Sequence, residues 1–346
     1  MRREPGPNHV SNRFRVSNTI IRRFEDLGLS LAAVLRHAGL PLSLFDQERI
    51  LVSTEELFAL YRGIAAASQD PAFGLKIGTE ERVERYDPIA IAALYARSFR
   101  DALQRMARYK QLTCPEELHV TEHADECRVR FEWLLAQEDE PALLTDLCFA
   151  WVVEIARRGS ANAIQAKRVE FKRPQAERAL YEAHFGCPVE FGAPSNVLVF
   201  ERADLELPFV THNADVLAIV APQLEAELAQ QLSQRTFREQ VKATLKKTLA
   251  GQRPELRAVA RELGVSTRTL QRRLTDERAT FQQLISEARR ELARHYLQHS
   301  SLELNETAYL LGYEDANSFF RAFQQWEGTS PGEWRAQLER PLTALG

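Results

Sequence analysis

The stretch "LGVSTRTLQRRL", residues 263–274, decides how the C-terminal third of this chain is read. Ser266 is a good N-cap for a helix that starts at Thr267. Arg268, Gln271, Arg272 and Thr275 then fall at i, i+3, i+4 and i+7, so they share one face. Leu270 and Leu274 lie on another face, toward a core. A merely solvated face is the usual fate of such polar residues. Glu and Lys would serve that purpose equally well, yet neither occurs from 266 to 275. Arg is suited to guanine O6/N7 and Gln to adenine N6/N7 in a major groove. The unpaired N–H groups at the helix start can also take a phosphate.

Working outward, the same phrase occurs twice. Residues 260–264 read "ARELG" and residues 308–312 read "AYLLG", each Ala-x-x-Leu-Gly. After each comes a short turn and a helix with apolar residues four apart, Leu270 and Leu274 in one, Phe319 and Phe323 in the other. The small Ala allows two helices to cross closely, the Gly makes the turn, and the apolar pair seats the second helix: a helix-turn-helix. One copy alone would be weak support; a generic helical hairpin carries such a phrase too. In the second copy Asn317, Ser318 and Arg321 form the comparable exposed set. Between the copies, "FQQLISEARRELARHYLQ" makes a strut of roughly 27 Å as one helix, a length that suits successive major grooves about 34 Å apart.

Charge sharpens the choice. The chain carries a formal charge of -3, which excludes a protein that is basic throughout. Residues 235–290 nevertheless hold 14 Lys and Arg against 6 Asp and Glu, while 291–346 hold 4 against 8. The phosphate-binding charge therefore sits on the first copy and the segment before it. The first copy is expected to supply most of the affinity, the second register and some specificity.

Upstream, helical and strand patterns interleave. Apolar spacing reads as helix over 17–38, with Gly39 and Pro41 as a stop. Ser53 and Glu56 form a capping box. Residues 89–109 read as one helix. "ELHVTEHA" and "ECRVRFEWLL" alternate near period two, a hairpin turning at Ala124 and Asp125. Further helices are expected at 141–158 and 174–185, and strands at "AKRVEFKR" and "NVLVFER". The expected fold class is an α+β N-terminal sensor domain followed by an all-α C-terminal domain of two helix-turn-helix motifs joined by a helix. The expected boundaries are a flexible tail at 1–16, a sensing and dimerisation domain at 17–230, a linker at 231–252 and a DNA-binding domain at 253–340.

Several function classes lose support. Apolar content of 45% and charged content of 27% fit an ordinary globular protein and give no sign of disorder. The first ten residues, "MRREPGPNHV", have no apolar h-region and do not read as a signal peptide. The most apolar stretch, 142–156, is interrupted by Asp146 and Glu154 and is too short to span a bilayer. Cys114, Cys127, Cys148 and Cys187 are widely spaced and suggest neither zinc nor a disulfide framework, so a reducing cytoplasmic location is expected. His119 with His123, and His295 with His299, lack a third ligand, so no metal or other cofactor is expected. Phe73, Tyr86, Tyr95, Phe99, Trp133 and Trp151 read as core more readily than as a pocket lining. No Gly-rich phosphate loop, nucleophile elbow or paired-carboxylate motif points to an enzyme.

Taken together, "VARELGVSTRTLQRRL" and "ETAYLLGYEDANSFFRAFQQWEGTSPGEWR" resemble the AraC/XylS family of bacterial transcription regulators, over about 237–340. The chain departs from many members at Ala279, where they carry Gly. "DPAFGLKIG" (70–78), "SFRDALQRMARYKQL" (98–112) and "HFGCPVEFGAPSNVLVFE" (184–201) resemble the arabinose-binding-type regulatory domain of one branch. The resemblance implies that Arg268, Gln271 and Arg272 contact bases, with Asn317, Ser318 and Arg321 in the second reading helix. It also implies partners: a double-stranded DNA operator, a small-molecule effector, RNA polymerase and a second copy of the chain. The alternative is a DNA-binding regulator whose N-terminal domain only dimerises.

Overall fold

In the computed structural model the described residues are 14–339, apart from 48–49, 81, 135, 137, 175–176, 235, 250–253 and 300–301. The chain divides after Leu228 into two units.

The first unit opens with β1 (Phe14–Arg15), paired antiparallel to β2 (Leu51–Val52). Residues 1–13 of the expected tail lie outside the described residues. Its last three are structured: Phe14 and Arg15 pair with Val52 and Leu51, and Val16 is buried. The expected helix over 17–38 is two, α1 (Asn18–Asp26) and α2 (Leu31–Ala38). The break is local chemistry: Gly28 adopts φ +84°, and the Ser30 hydroxyl then accepts the Ala33 N–H as a new N-cap. Then come α3 (Thr54–Ser68), which has the expected capping box of Ser53 and Glu56, and α4 (Phe73–Gly78). The single helix expected over 89–109 is likewise two, α5 (Pro88–Leu94) and α6 (Phe99–Tyr109). Ser98 between them is extended, forms a β-bridge with Pro208 and caps α6 through Asp101 N–H.

The hairpin is β3 (Glu116–His123) and β4 (Glu126–Trp133), in register from Glu116 opposite Trp133 to His123 opposite Glu126. Then follow α7 (Ala142–Gly159), β5 (Arg168–Phe171), α8 (Arg178–Phe185), β6 (Val189–Phe191) and β7 (Val197–Glu201). α8 starts four residues later than expected. The five-stranded sheet has the order β3-β4-β7-β5-β6, with β5 and β6 parallel across α8 and the other pairs antiparallel. This is the α+β arrangement expected. α7 is a core helix; its buried Asp146 takes hydrogen bonds from Arg173 (2.6 Å) and Tyr181 (3.0 Å). Phe73 and Phe99 are buried, while Tyr86, Tyr95, Trp133 and Trp151 are partly buried against the core. All four cysteines are buried thiols. Among the described residues no helix is long and apolar enough to cross a membrane, and no cluster of three metal-ligating side chains occurs.

The division between units falls within α9 (Ala214–Gln234). The second unit is helical throughout: α10 (Phe237–Thr248), α11 (Leu256–Glu262), α12 (Thr267–Asp276), α13 (Phe281–His299), α14 (Leu304–Leu310), α15 (Ala316–Glu327) and α16 (Pro331–Glu339). The segment 231–252, expected as a linker, holds α10, whose Phe237, Val241, Leu245 and Leu249 are buried with Val259, Leu270, Leu274 and Leu284. A second cluster joins Ala293 and Leu297 of α13 to Ala308, Leu311, Phe319 and Phe323. α13 thus contributes its first half to one core and its second half to the other.

Candidate nucleic-acid interface

Each copy of the repeat builds the same local device. Ala260 and Ala308 are buried, and Gly264 and Gly312 take φ +66° and +69°, the left-handed region that closes α11 and α14. Nothing lies within 4 Å of a Cβ built on Gly264, so a larger residue there would be opposed by backbone strain alone. α12 then starts at Ser266, whose Oγ accepts the Thr269 N–H at 3.1 Å. Leu270 and Leu274 face the core, and the exposed face carries Arg268, Gln271, Arg272 and Thr275. Thr267 is half-buried. Thr275 donates its hydroxyl to the Gln271 carbonyl at 2.9 Å.

The second reading helix, α15, is capped by Asp315. Its carboxylate accepts the Ser318 N–H (2.8 Å) and the Ser318 hydroxyl (2.6 Å), and Arg321 donates to that hydroxyl at 3.1 Å. These bonds hold the Asp315 carboxyl below the usual carboxylate range. Asn317 and Arg321 are exposed and Ser318 is half-buried. Of the expected trio, Ser318 is committed to the cap and orients Arg321.

Several other arginines of this unit have structural work, while Arg257 and Arg261 are exposed like Arg268 and Arg272. Arg273 stacks over the Phe237 ring at 5.1 Å, Arg289 donates to the carbonyls of Leu311 and Gly312 at 2.9 and 2.7 Å, and Arg290 and Arg294 clasp Glu327. By contrast, among the described residues the side chains of Arg268, Gln271 and Arg272 take no ion pair or hydrogen bond. Three long polar side chains thus project together from one helix face with their donors unused.

Sequence reasoning did not find the parts that hold this face in place. Glu277, at the end of α12, accepts the Phe237 and Arg238 N–H groups at 2.9 and 2.8 Å. α10 is tied to α13 by Lys242 and Lys246, each 2.8 Å from Glu291, and by the Arg238–Glu287 pair. Their countercharge keeps the Glu291 carboxyl low even against the opposing effect of burial, which is the larger single influence. The spacing of Phe237, Val241, Leu245 and Leu249, four apart each time, was the available signal that α10 packs. His119 lies 3.0 Å from the Glu132 carboxylate, and the side chains of His295 and His299 lie outside the described residues.

Residues 28–209 match the arabinose-binding domain of AraC transcription regulator, N-terminal, and residues 259–337 match a helix-turn-helix domain. An ornithine utilization regulator from Pseudomonas aeruginosa is 28% identical over 312 residues, 90% of this chain and 92% of its own. The HTH-type transcriptional regulator VirS of Mycobacterium tuberculosis is 26% identical over 315 residues, 90% of this chain and 92% of its own. Among solved structures, the transcriptional regulator CdpR from Pseudomonas aeruginosa aligns over 92% of this chain and 98% of its own at 22% identity, with a TM-score of 0.45. The chain belongs to the AraC family of transcription regulators, in the branch with the arabinose-binding-type N-terminal domain, and is a DNA-binding regulator.

Proposed function

We propose that α12 and α15 read base edges in successive major grooves of an operator. Arg268, Gln271 and Arg272 reach bases from α12, Ser266, Thr267 and Thr275 support them at backbone or base edges, and Asn317 and Arg321 read from α15 with Ser318 orienting Arg321. The observation that carries this is the grouping on α12: Arg268 and Arg272 stand exposed and unpaired beside Gln271 on one face, whereas Arg289, Arg290 and Arg294 are spent on structural partners. A solvated face would not need to leave these donors together on one side of a capped helix.

The N-terminal unit, in this reading, binds a small-molecule effector and controls a homodimer that activates transcription with RNA polymerase. The effector acts only through a difference in affinity for two states of the protein. Support comes from the family to which residues 28–209 belong and from a relative named for ornithine utilization. Selection of bound sequences from a random duplex library, with full-length protein at near-physiological salt, tests the DNA reading. Two enriched blocks about 10 base pairs apart are expected. A single block would remove base reading from α15, and no enrichment would remove it from both helices.

A further inference from the structure

The N-terminal unit contains a polar centre that neither its packing nor DNA binding accounts for. Glu116 opens β3 on the buried side and is 0% exposed. Its Oε2 lies 2.5 Å from Lys110 Nζ, while its Oε1 is buried without any hydrogen-bond partner. Native interiors leave few such atoms unsatisfied, because a buried acceptor without a donor is costly. Directly across the ladder stands Trp133, and residues so paired share a sheet face. Trp133 donates its indole N–H to Glu140 at 3.2 Å, and Asn196 donates to the other Glu140 oxygen at 3.0 Å. Phe58 meets Trp133 edge-on at 5.0 Å. Burial, and after it the charge of Glu116, push the Glu140 carboxyl up to about 7. Trp133, Lys110 and Glu140 keep some solvent contact, while Glu116 keeps none.

We propose that this centre binds a small organic cation, an ammonium or guanidinium group on an apolar stem, with its head between Glu116 and Glu140 and its stem against Trp133 and Phe58. The proposal rests on the reading of the N-terminal unit as the effector-binding part. A cation supplies what is missing: N–H donors for the unpaired oxygen, positive charge beside two neighbouring carboxyls, and a partner for an aromatic face. An anion would meet two carboxyls instead. A purely apolar molecule would leave Glu116 Oε1 as it is.

The test uses full-length protein with n-butylammonium and n-butylguanidinium chloride, against sodium butyrate, n-butanol and sodium chloride at matched ionic strength. Calorimetric titration and thermal unfolding are the readouts. For probes of so few heavy atoms, binding in roughly the millimolar range is expected. Saturable binding of the two cations is expected, absent for butyrate and butanol, and weakened about ten-fold or more by Glu116→Gln. Should that variant fail to fold, Glu140→Gln and Trp133→Phe carry the same expectation. Cations that bind no better than sodium chloride, or that bind both Glu variants unchanged, overturn the proposal. Whether the effector reading falls with it is decided separately, by operator affinity with and without a low-molecular-mass cell extract. A change there, with the cations inert, keeps an effector and removes this centre; no change removes both.

Discussion

Arginine shows at the residue scale how one side chain type is sorted between structure and recognition. Arg273 and Arg289 are spent on a ring face and on helix-end carbonyls, whereas Arg272 has only solvent before it. If Arg272 reads a base, Arg272→Ala should cost about 1–3 kcal/mol of operator affinity and relax preference at a single position. A library selection that returns the same motif from the variant would assign Arg272 to phosphate or to nothing. A second residue carries strain. Arg278 adopts φ +55° after α12, with its N–H on the Thr275 carbonyl and that of Ala279 on Leu274. The left-handed turn that a Gly at 279 would have suggested is one residue earlier, and Ala279 is buried beside it. Left-handed backbone costs a side chain-bearing residue roughly 1 kcal/mol relative to Gly. Arg278→Gly should therefore raise the melting temperature of the DNA-free protein by a few degrees, and a fall would show that the arginine side chain contributes more than the strain removes. The reading face itself was legible in the sequence because it needs only helical periodicity and a cap. The role of Ser318 was not legible, since it depends on which of two neighbours its hydroxyl meets.

At the scale of elements, the legible features were the ones with local causes. The hairpin, α7 and the paired Ala-x-x-Leu-Gly turns follow from periodicity and turn chemistry within a dozen residues. Two expected long helices were each broken, at Gly28 and at Ser98, because a local stop signal outranks a continuing apolar pattern. α10 was misjudged for the opposite reason. Its polar composition suggested a connector, but its apolar stripe is completed by α11, α12 and α13, which lie later in the chain. Glu277 makes that dependence testable. Its carboxylate caps two N–H groups at the start of α10, where negative charge also favours the helix dipole. Glu277→Ala should lower the stability of the second unit by about 1–2 kcal/mol, read by denaturant unfolding. An unchanged midpoint would return α10 to the status of a connector.

At the scale of the whole molecule, the buried carboxyls of the first unit tie its stability to pH. Glu140 is pushed up to about 7 and Asp146 to about 6, in both cases chiefly by burial. A carboxyl whose folded value is raised favours the protonated, folded state, so its contribution is present in acid and is lost as pH climbs toward the raised value. His184 works against this. Burial, and then the Arg157 charge, bring its imidazole down to about 4, so its contribution is lost as pH falls below the ordinary histidine value. The exposed pairs formed by Glu122, Glu126 and Glu225, all held near 2, weaken only in stronger acid. The window from pH 5 to 7.5 therefore contains Glu140 and Asp146 opposed by His184, and above about pH 6.5 Glu140 stands almost alone. Wild-type protein should lose stability there on the order of 1 kcal/mol per pH unit as pH rises. Glu140→Gln cannot ionise, so the difference between its melting curve and that of the wild type should grow in the variant's favour from pH 5 to 7.5. Parallel curves would mean that Glu140 does not change its ionisation within the window and that another group sets the pH dependence.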